Sequence, residues 1–377
     1  MKCGATFHHT NFTDWERFLA KDWSRPQTVP DYKLWERAIS HAEMIDELGF
    51  DMIWTTEHRS TPYGIIPNPL TFVAFCAGRT RNVGFGTMAI IVPWWNAMRA
   101  AEEIALVDNL LEGRRFVVGF GRGVAAYEYD ALGVDRNESR GRFHEGIQFI
   151  IRALSEEGFS FDGKYFSVND ASVRPRPRTP DLVQNMIGVF TGRESMEMVA
   201  SLGLGIAVTA GIPLDTLIEW IPDFNQIRAD KGLEPTQPTM SLFCYPSETR
   251  KGREDGLRYL QKLEEDINLN YRFGDPSAFA GVSGYERYVA EAKERQAGVT
   301  PKKFHLFGTP DEIIERLQDV QEQTSVKEYT IDFFLPGISQ SELDSNVQLF
   351  AREVLPAVRE MAPTLHERSL PRSAQVG

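Results

Sequence analysis

The sequence predicts an α/β chain folded as a (β/α)8, or TIM, barrel with insertions after the fourth and seventh strands. Three observations predict it. Short apolar, β-branched runs recur eight times along the 377 residues. Amphipathic helical patterns separate them, and such alternation builds parallel strands joined by right-handed crossovers. No Gly-x-Gly-x-x-Gly turn follows a strand, so an open doubly wound sheet is the weaker alternative and eight βα units argue for closure.

Strands are expected near 3–8 (CGATFH), 51–57 (DMIWTTE), 83–91 (VGFGTMAII), 116–121 (FVVGFG), 182–188 (LVQNMIG), 205–210 (GIAVTA), 238–245 (PTMSLFCY) and 328–334 (EYTIDFF). Between the first two, Trp35, Ala38, Ile39, Ala42, Ile45 and Leu48 repeat at three and four, one face of a helix. The stretch from Ala101 to Leu111 behaves the same way. Gly49, Gly113 and Gly203 follow the last periodic residues, where helices stop. The segments 122–181 and 246–327 exceed what one crossover needs, and long connections of this kind are commonly functional. Within the first, GFSFDGKYFSVND (158–170) alternates as a hairpin about Asp162-Gly163, and VRPRPRTP (173–180) is held extended by its prolines. The expected organisation is one barrel domain over 1–362, with an insertion at about 246–305, and a tail, 363–377, that lies over the surface or frays.

Composition narrows the function. Apolar residues make up 42%, enough for a large core, and the formal charge of −12 disfavours nucleic acid and anionic membranes as partners. No run approaches 18 apolar residues, and the start lacks the apolar core of a signal peptide. Cys3, Cys76 and Cys244 lie far apart, which fits neither a disulfide framework nor a paired-cysteine metal site. The expectation is a reduced, cytoplasmic protein.

In such a barrel the chemistry sits at the C-terminal strand ends. The second strand ends in Glu57-His58-Arg59, an acid, an imidazole and a guanidinium before a Pro- and Gly-bearing loop. The first strand brings His8 and His9 to the same rim. Adjacent strand residues point to opposite faces, so this pair does not ligate one ion, and no metal site is expected. The fourth strand delivers Gly119-Phe120-Gly121-Arg122-Gly123, which reads either as an anion site or as relief of crowding in the barrel. After the fifth strand, Thr191-Gly192-Arg193 opens a helix whose free N–H groups, with Arg193 and Ser195, suit a phosphate; an ordinary capped helix is the other reading. The helix start at FGTPDEI (307–313) places Asp311 and Glu312 in its first turn, which repels phosphate. Aromatic residues on the rim segments, Phe7, Tyr63, Trp94 and Trp95, suggest an apolar substrate pocket, whereas Trp54, deep in its strand, is expected in the core.

These residues carry a resemblance. GFDMIWTTEHRSTPYGIIPNPLTFVA, NVGFGTMAIIVP, RAAEEIALVDNLLEGRRFVVGFGRG and YEYDALGVDRNESRGRF are similar in order and spacing to the bacterial luciferase-like, flavin-dependent monooxygenases, including the luciferase α subunit and the type II Baeyer–Villiger monooxygenases. Weaker similarity continues through FDGKYFSV, GRESMEMVASLG and FGTPDEIIERL. The resemblance implies reduced FMN supplied by a separate reductase, with oxygen added at the flavin C4a carbon and transferred to an apolar carbonyl-type substrate. It places Arg122, Arg140, Gly192, Arg193 and Ser195 on phosphate-binding positions. It places Thr87, Met88 and Ala89 behind the flavin ring, with a cis bond between Met88 and Ala89. His58 falls on the catalytic histidine, and Glu57 is expected to orient it or to pair with Arg59. Gly121 stands where luciferase has a cysteine, and Arg59 where it has a second histidine; both departures speak against light emission. A homodimer is implied. A deazaflavin (F420)-dependent dehydrogenase of the same fold, or a flavin-binding relative without activity, is the alternative.

Overall fold

The computed structural model describes residues 1–209, 211–249, 251–297 and 304–375. Its strands are β1 (Lys2–Phe7), β2 (Met52–Thr55), β3 (Gly84–Thr87), β4 (Ile90–Ile91), β5 (Phe116–Gly121), β6 (Phe159–Asp162), β7 (Ser167–Ala171), β8 (Met186–Val189), β9 (Gly205–Thr209), β10 (Thr239–Pro246), β11 (Leu306–Gly308) and β12 (Glu328–Asp332). Eight of them pair in parallel around a closed ring, β1-β2-β3-β5-β8-β9-β10-β12, and β12 returns to β1 with Gly4 opposite Thr330. The expected barrel is present. The hydrophobic core lies between this ring and the surrounding helices, with Phe7, Ile53, Phe85, Phe120 and Ile331 all buried on its outer wall.

The inside of the ring is filled by Met52, Trp54, Met88, Val117, Ile187 and Ala207. Trp54 takes this room because two neighbours are glycines. A Cβ on Gly4 would stand 2.8 Å from its Cδ1, and one on Gly86 would stand 2.4 Å from its Cε3. The indole is a floor beneath the C-terminal mouth, as its place in the strand suggests.

Three details differ from expectation, and the tail takes the first of its two expected forms. The third strand does not run unbroken from 83 to 91: it breaks after Thr87, and β4 resumes beside β5. The fifth barrel strand begins late, because Leu182–Asn185 closes a 3-10 turn, with Gln184 N–H donating to Asp181 O, and only Met186–Val189 pairs. A three-residue strand, β11, adds to the end of β10 and lengthens the wall there. The tail is docked rather than frayed up to residue 375: Asn225 donates to Ser369 O at 2.6 Å, and the Ser325 and Ser369 hydroxyls meet at 2.9 Å. Residue 210 of the expected sixth strand, 250 and 298–303 of the insertion, and 376–377 of the tail lie outside the described residues.

Both long connections carry structure. After β5 come the helices Ala126–Leu132 and Ser139–Ser155, then the β6–β7 hairpin, whose turn is pinned by three backbone N–H groups of Lys164, Tyr165 and Phe166 donating to Glu145. After β10 comes the helix Lys251–Tyr271, with Leu263, Asp266 and Asn270 buried on one face. This helix lies across the loops at the barrel mouth, where Thr61 Oγ1 donates to Asn270 Oδ1 at 2.8 Å. Among the described residues, no helix is long and apolar enough to cross a membrane.

Candidate active site at the C-terminal mouth of the barrel

His58 follows β2 on the inward parity set by Met52 and Trp54. Its Nδ1 lies 2.8 Å from Oε1 of Glu128, a buried carboxylate on the helix Ala126–Leu132. The same oxygen accepts the Arg59 backbone N–H at 3.2 Å. An acceptor on Nδ1 fixes the ring's orientation and puts the Nδ1 proton there, leaving Nε2 as the atom available for proton exchange. Tyr271, at the end of the covering helix, brings its hydroxyl to 3.3 Å from Nε2. The Tyr63 and His8 rings pack against the imidazole, with centroids at 4.8 and 5.5 Å.

His8 and His9 point to opposite sides, as strand geometry requires. His8 turns into the mouth, with Nδ1 3.9 Å from a carboxylate oxygen of Asp332. Burial drives the two in opposite directions: it lowers the His8 pKa to about 3, helped by His58, and raises the Asp332 carboxyl well above its usual range. Burial thus disfavours the charged form of each partner, and the contact is a polar pair weaker than an exposed ion pair would suggest. Among the described residues no group of three or more His, Cys, Asp or Glu side chains could hold a metal ion.

Of the two roles expected for Glu57, the structure forms the pairing with Arg59 and not the contact with His58. The fully buried carboxylate is ion-paired to Arg59, accepts the Ile91 N–H at 2.8 Å, and accepts the Trp95 indole N–H at 3.1 Å. Burial pushes its pKa up to about 7, against the pull of Arg59. Trp94 stacks under the Arg59 guanidinium at 5.1 Å, so Trp94 and Trp95 brace this pair from two sides. Phe7 is likewise core, packed on Phe72 and Phe334.

The Met88–Ala89 peptide bond is cis, as the resemblance implied, and both residues are buried at the mouth. The Thr87 hydroxyl is consumed by the sheet: it accepts Gly119 N–H at 2.8 Å and donates to Gly119 O at 3.0 Å.

Arginines gather on the other side of the mouth. Arg122 leaves the end of β5, donates to Gly284 O at 3.3 Å and lies 4.4 Å over the Tyr285 ring. Its Nη1 is buried without a hydrogen-bond partner among the described residues. Arg140 pairs with Glu194 in the first turn of the helix Arg193–Ser201, which brings Arg140 to that helix tip. Gly192 is the N-cap, and Ser195 is half-buried in the first turn. Arg193 is turned to carboxylates of the helix layer instead, Glu197 at 3.0 Å and Asp223 at 2.6 Å. The guanidinium that covers the helix tip is Arg287, from the insertion. It binds the Thr191 carbonyl and hydroxyl, and a Cβ on Gly192 would stand 2.8 Å from its Nη1. Neither Arg287 nor Glu128 was singled out from the sequence. Glu128 carried a weak signal, as an acid just after a glycine-rich strand end.

Comparison with known proteins gives the family and the fold. Residues 19–327 match the family model for luciferase-like monooxygenases. The 4-hydroxyprotoasukamycin monooxygenase of Streptomyces nodosus subsp. asukaensis is 27% identical over 335 residues, covering 87% of each chain. The crystal structure of monooxygenase RslO1 from Streptomyces bottropensis superposes with a TM-score of 0.74 at 26% identity, covering 95% of this chain and 100% of that one. The oxygenating constituent of 3,6-diketocamphane monooxygenase from Pseudomonas putida, a type II Baeyer–Villiger monooxygenase in complex with FMN, shares the fold at a TM-score of 0.71 and 18% identity, over 94% of this chain and 98% of that one. The chain belongs to the luciferase-like monooxygenase family.

Proposed function

We propose that the chain is the oxygenase of a two-component system, taking reduced FMN from a separate flavin reductase and placing one oxygen atom of O2 on an apolar, carbonyl-type substrate. The observation that supports this most directly is in the segment after β5, which presents a buried, unpartnered guanidinium nitrogen on Arg122 and, six residues on, the carboxylate that holds His58. A buried donor of this kind calls for an anion. The flavin phosphate meets that need: Arg122, Arg140, Arg287 and the helix tip at Gly192 would hold it, with Ser195 and Arg193 at its outer edge. Reduced FMN, when bound, supplies the electrons that activate O2. His58 then holds or delivers a proton at Nε2, Glu128 keeps the ring in place, and Tyr271 closes the site from above. The covering helix and the aromatic rings of Tyr63 and Tyr271 exclude water. Glu57 positions the strand end through Arg59 and Trp95.

A homodimer is part of the same reading. The helices Pro69–Ala77 and Ala97–Leu110 pack side by side, and Phe75, Leu106 and Leu110 stand about half exposed on them. A cytoplasmic location, where reductase and reduced flavin are at hand, completes it.

Titration of the apoprotein with reduced FMN, followed by air and a panel of ketones and aldehydes, tests the function. Product carrying one oxygen from labelled O2 supports the reading. Turnover without oxygen when a deazaflavin is supplied assigns hydride transfer instead, and flavin binding with no product under any reductant assigns a binding protein.

A further inference from the structure

A second cleft lies beside the barrel wall, where β1 and β12 end against the helices Asp31–Glu47 and Gln340–Leu349. Strand parity separates it from the mouth: His8 faces His58, and His9 faces outward to His41, at 6.2 Å between rings, and Phe334, at 4.3 Å. The cavity volume of the cleft is about 60 Å³. That is room for roughly four to six small heavy atoms.

Its polar end is unsatisfied. Both ring nitrogens of His9, Nδ1 of His41 and Oε1 of Gln340 are buried and have no hydrogen-bond partner among the described residues. His9 and His41 are 5% and 2% exposed, so solvent at the surface does not reach them freely. Buried polar atoms are rarely left alone, and four in one cleft require an occupant. Its charge follows from what surrounds them. Arg37 reaches the cleft and forms no ion pair among the described residues. Lys262 stands at the rim, 5.5 Å over the Phe12 ring and 3.6 Å from a Cβ placed on Gly337. The nearest acid, Asp344, is committed to His41 at 3.2 Å and to Gln340 at 2.8 Å. The remaining wall is Leu34, Phe334, Leu335 and Leu343.

We propose that this cleft is a binding site for a short-chain aliphatic carboxylate, held at its charged end by Arg37 and an imidazole N–H of His9 and at its alkyl end by the leucines. Burial keeps the His9 and His41 imidazoles neutral, so each offers one N–H donor and one acceptor. A cation would meet the Arg37 guanidinium at the cleft and the Lys262 ammonium at its rim. The site is separate from the mouth: the His8 side chain turns to His58, and the His9 ring faces the cleft.

Calorimetric titration of the full-length protein with butyrate tests the site, with butyramide as the neutral isostere. Butyrate binds, and butyramide binds at least about tenfold more weakly, the scale of one charge-assisted contact. Arg37→Gln, at an exposed position that tolerates substitution, weakens butyrate about tenfold. His9→Phe fills the cleft and removes binding, whereas Arg122→Gln, at the mouth, leaves it unchanged. Equal binding of the two ligands, or butyrate affinity that survives Arg37→Gln, overturns the proposal. Loss of butyrate in Arg122→Gln alone would place the carboxylate at the mouth and overturn it as well. Absence of butyrate binding altogether shows that the cleft holds water only.

Discussion

Glu128 accepts a hydrogen bond from the imidazole of His58 at 2.8 Å across 70 residues of sequence, while the acid next to that histidine, Glu57, faces the other way. The histidine is thus held from the insertion after β5 and not by its own strand. If His58 manages a proton during oxygen transfer, its deletion removes that step and loss of Glu128 disturbs it. His58→Ala is expected to lower kcat by about 10² to 10⁴. Glu128→Gln keeps the shape, weakens the hold on the ring and is expected to lower kcat by roughly tenfold with KM and FMN affinity nearly unchanged. Single-turnover product yield alongside flavin-fluorescence titration checks both. A fall in flavin affinity with normal chemistry in the bound fraction would contradict the assignment.

Arg122 supplies a different prediction, because its unpartnered Nη1 is the group expected to meet the phosphate. Arg122→Gln is expected to raise the FMN dissociation constant by about 10- to 100-fold, the range of a hydrogen bond to a charged group. Riboflavin, which has no phosphate, should bind wild type and variant equally. Arg287→Gln should behave in the same direction. Arg193→Gln should change affinity much less, since Arg193 is spent on Glu197 and Asp223. An equal loss for riboflavin and FMN in Arg122→Gln would show that the arginine supports the Tyr285 packing and not a phosphate.

His58 and Arg122 were legible as residues at barrel strand ends, which period-two alternation and the eightfold count locate; Met88 and Ala89 were picked out by the resemblance alone, because periodicity ran the third strand unbroken to 91 where the structure breaks it after Thr87. Glu128 and Arg287 were not legible. Each reaches the mouth from a long insertion, and the fold of an insertion depends on distant contacts such as Thr61 with Asn270 and Arg287 with Thr191. The late start of β8 has a local cause: the chain from 173 to 185 is spent on a proline-held crossing and a 3-10 turn, so an apolar pair, Leu182-Val183, sits before the strand and not in it. Arg193 misled for a related reason. Its place at a helix tip was readable, but the carboxylate that captures it, Asp223, belongs to the next helix.

Asp266 carries a pH prediction. It is buried on the covering helix, one oxygen has no partner among the described residues, and burial raises its pKa from 3.8 to about 7 against the pull of Lys262. The folded state therefore keeps a proton that the unfolded chain releases first. Stability from this group is full below about pH 4 and is lost as pH rises towards 7. Asp266→Asn removes the term. The variant should match the parent near pH 4 and exceed it by on the order of 3 kcal/mol above pH 7, measured by urea unfolding. His8 and His41, buried and neutral with pKa values lowered to about 3 and about 4, act with the opposite sign in both proteins and cancel in the difference. A gain that does not change with pH would mean that Asp266 is ionised in the fold.

Gly119 and Thr87 join β3 to β5 immediately below the mouth. A Cβ on Gly119 would stand 2.0 Å from Thr87 O, a backbone atom that cannot swing aside. Gly119→Ala must push the two strands apart, and the expected cost is about 3 kcal/mol or more. Thr87→Val keeps the volume but strands the Gly119 N–H, which the hydroxyl now takes at 2.8 Å; that costs roughly 1 to 3 kcal/mol. Thr87→Ser keeps both hydrogen bonds and should stay within about 1 kcal/mol of wild type. Because Met88 and Ala89 follow directly, the two damaging variants should also weaken FMN binding in the folded fraction, whereas Thr87→Ser should not. Denaturant midpoints with flavin titrations on each variant separate the effects. Normal stability in Gly119→Ala would show that the two strands can part without loss, and the junction would then not be what holds the ring-facing residues in place.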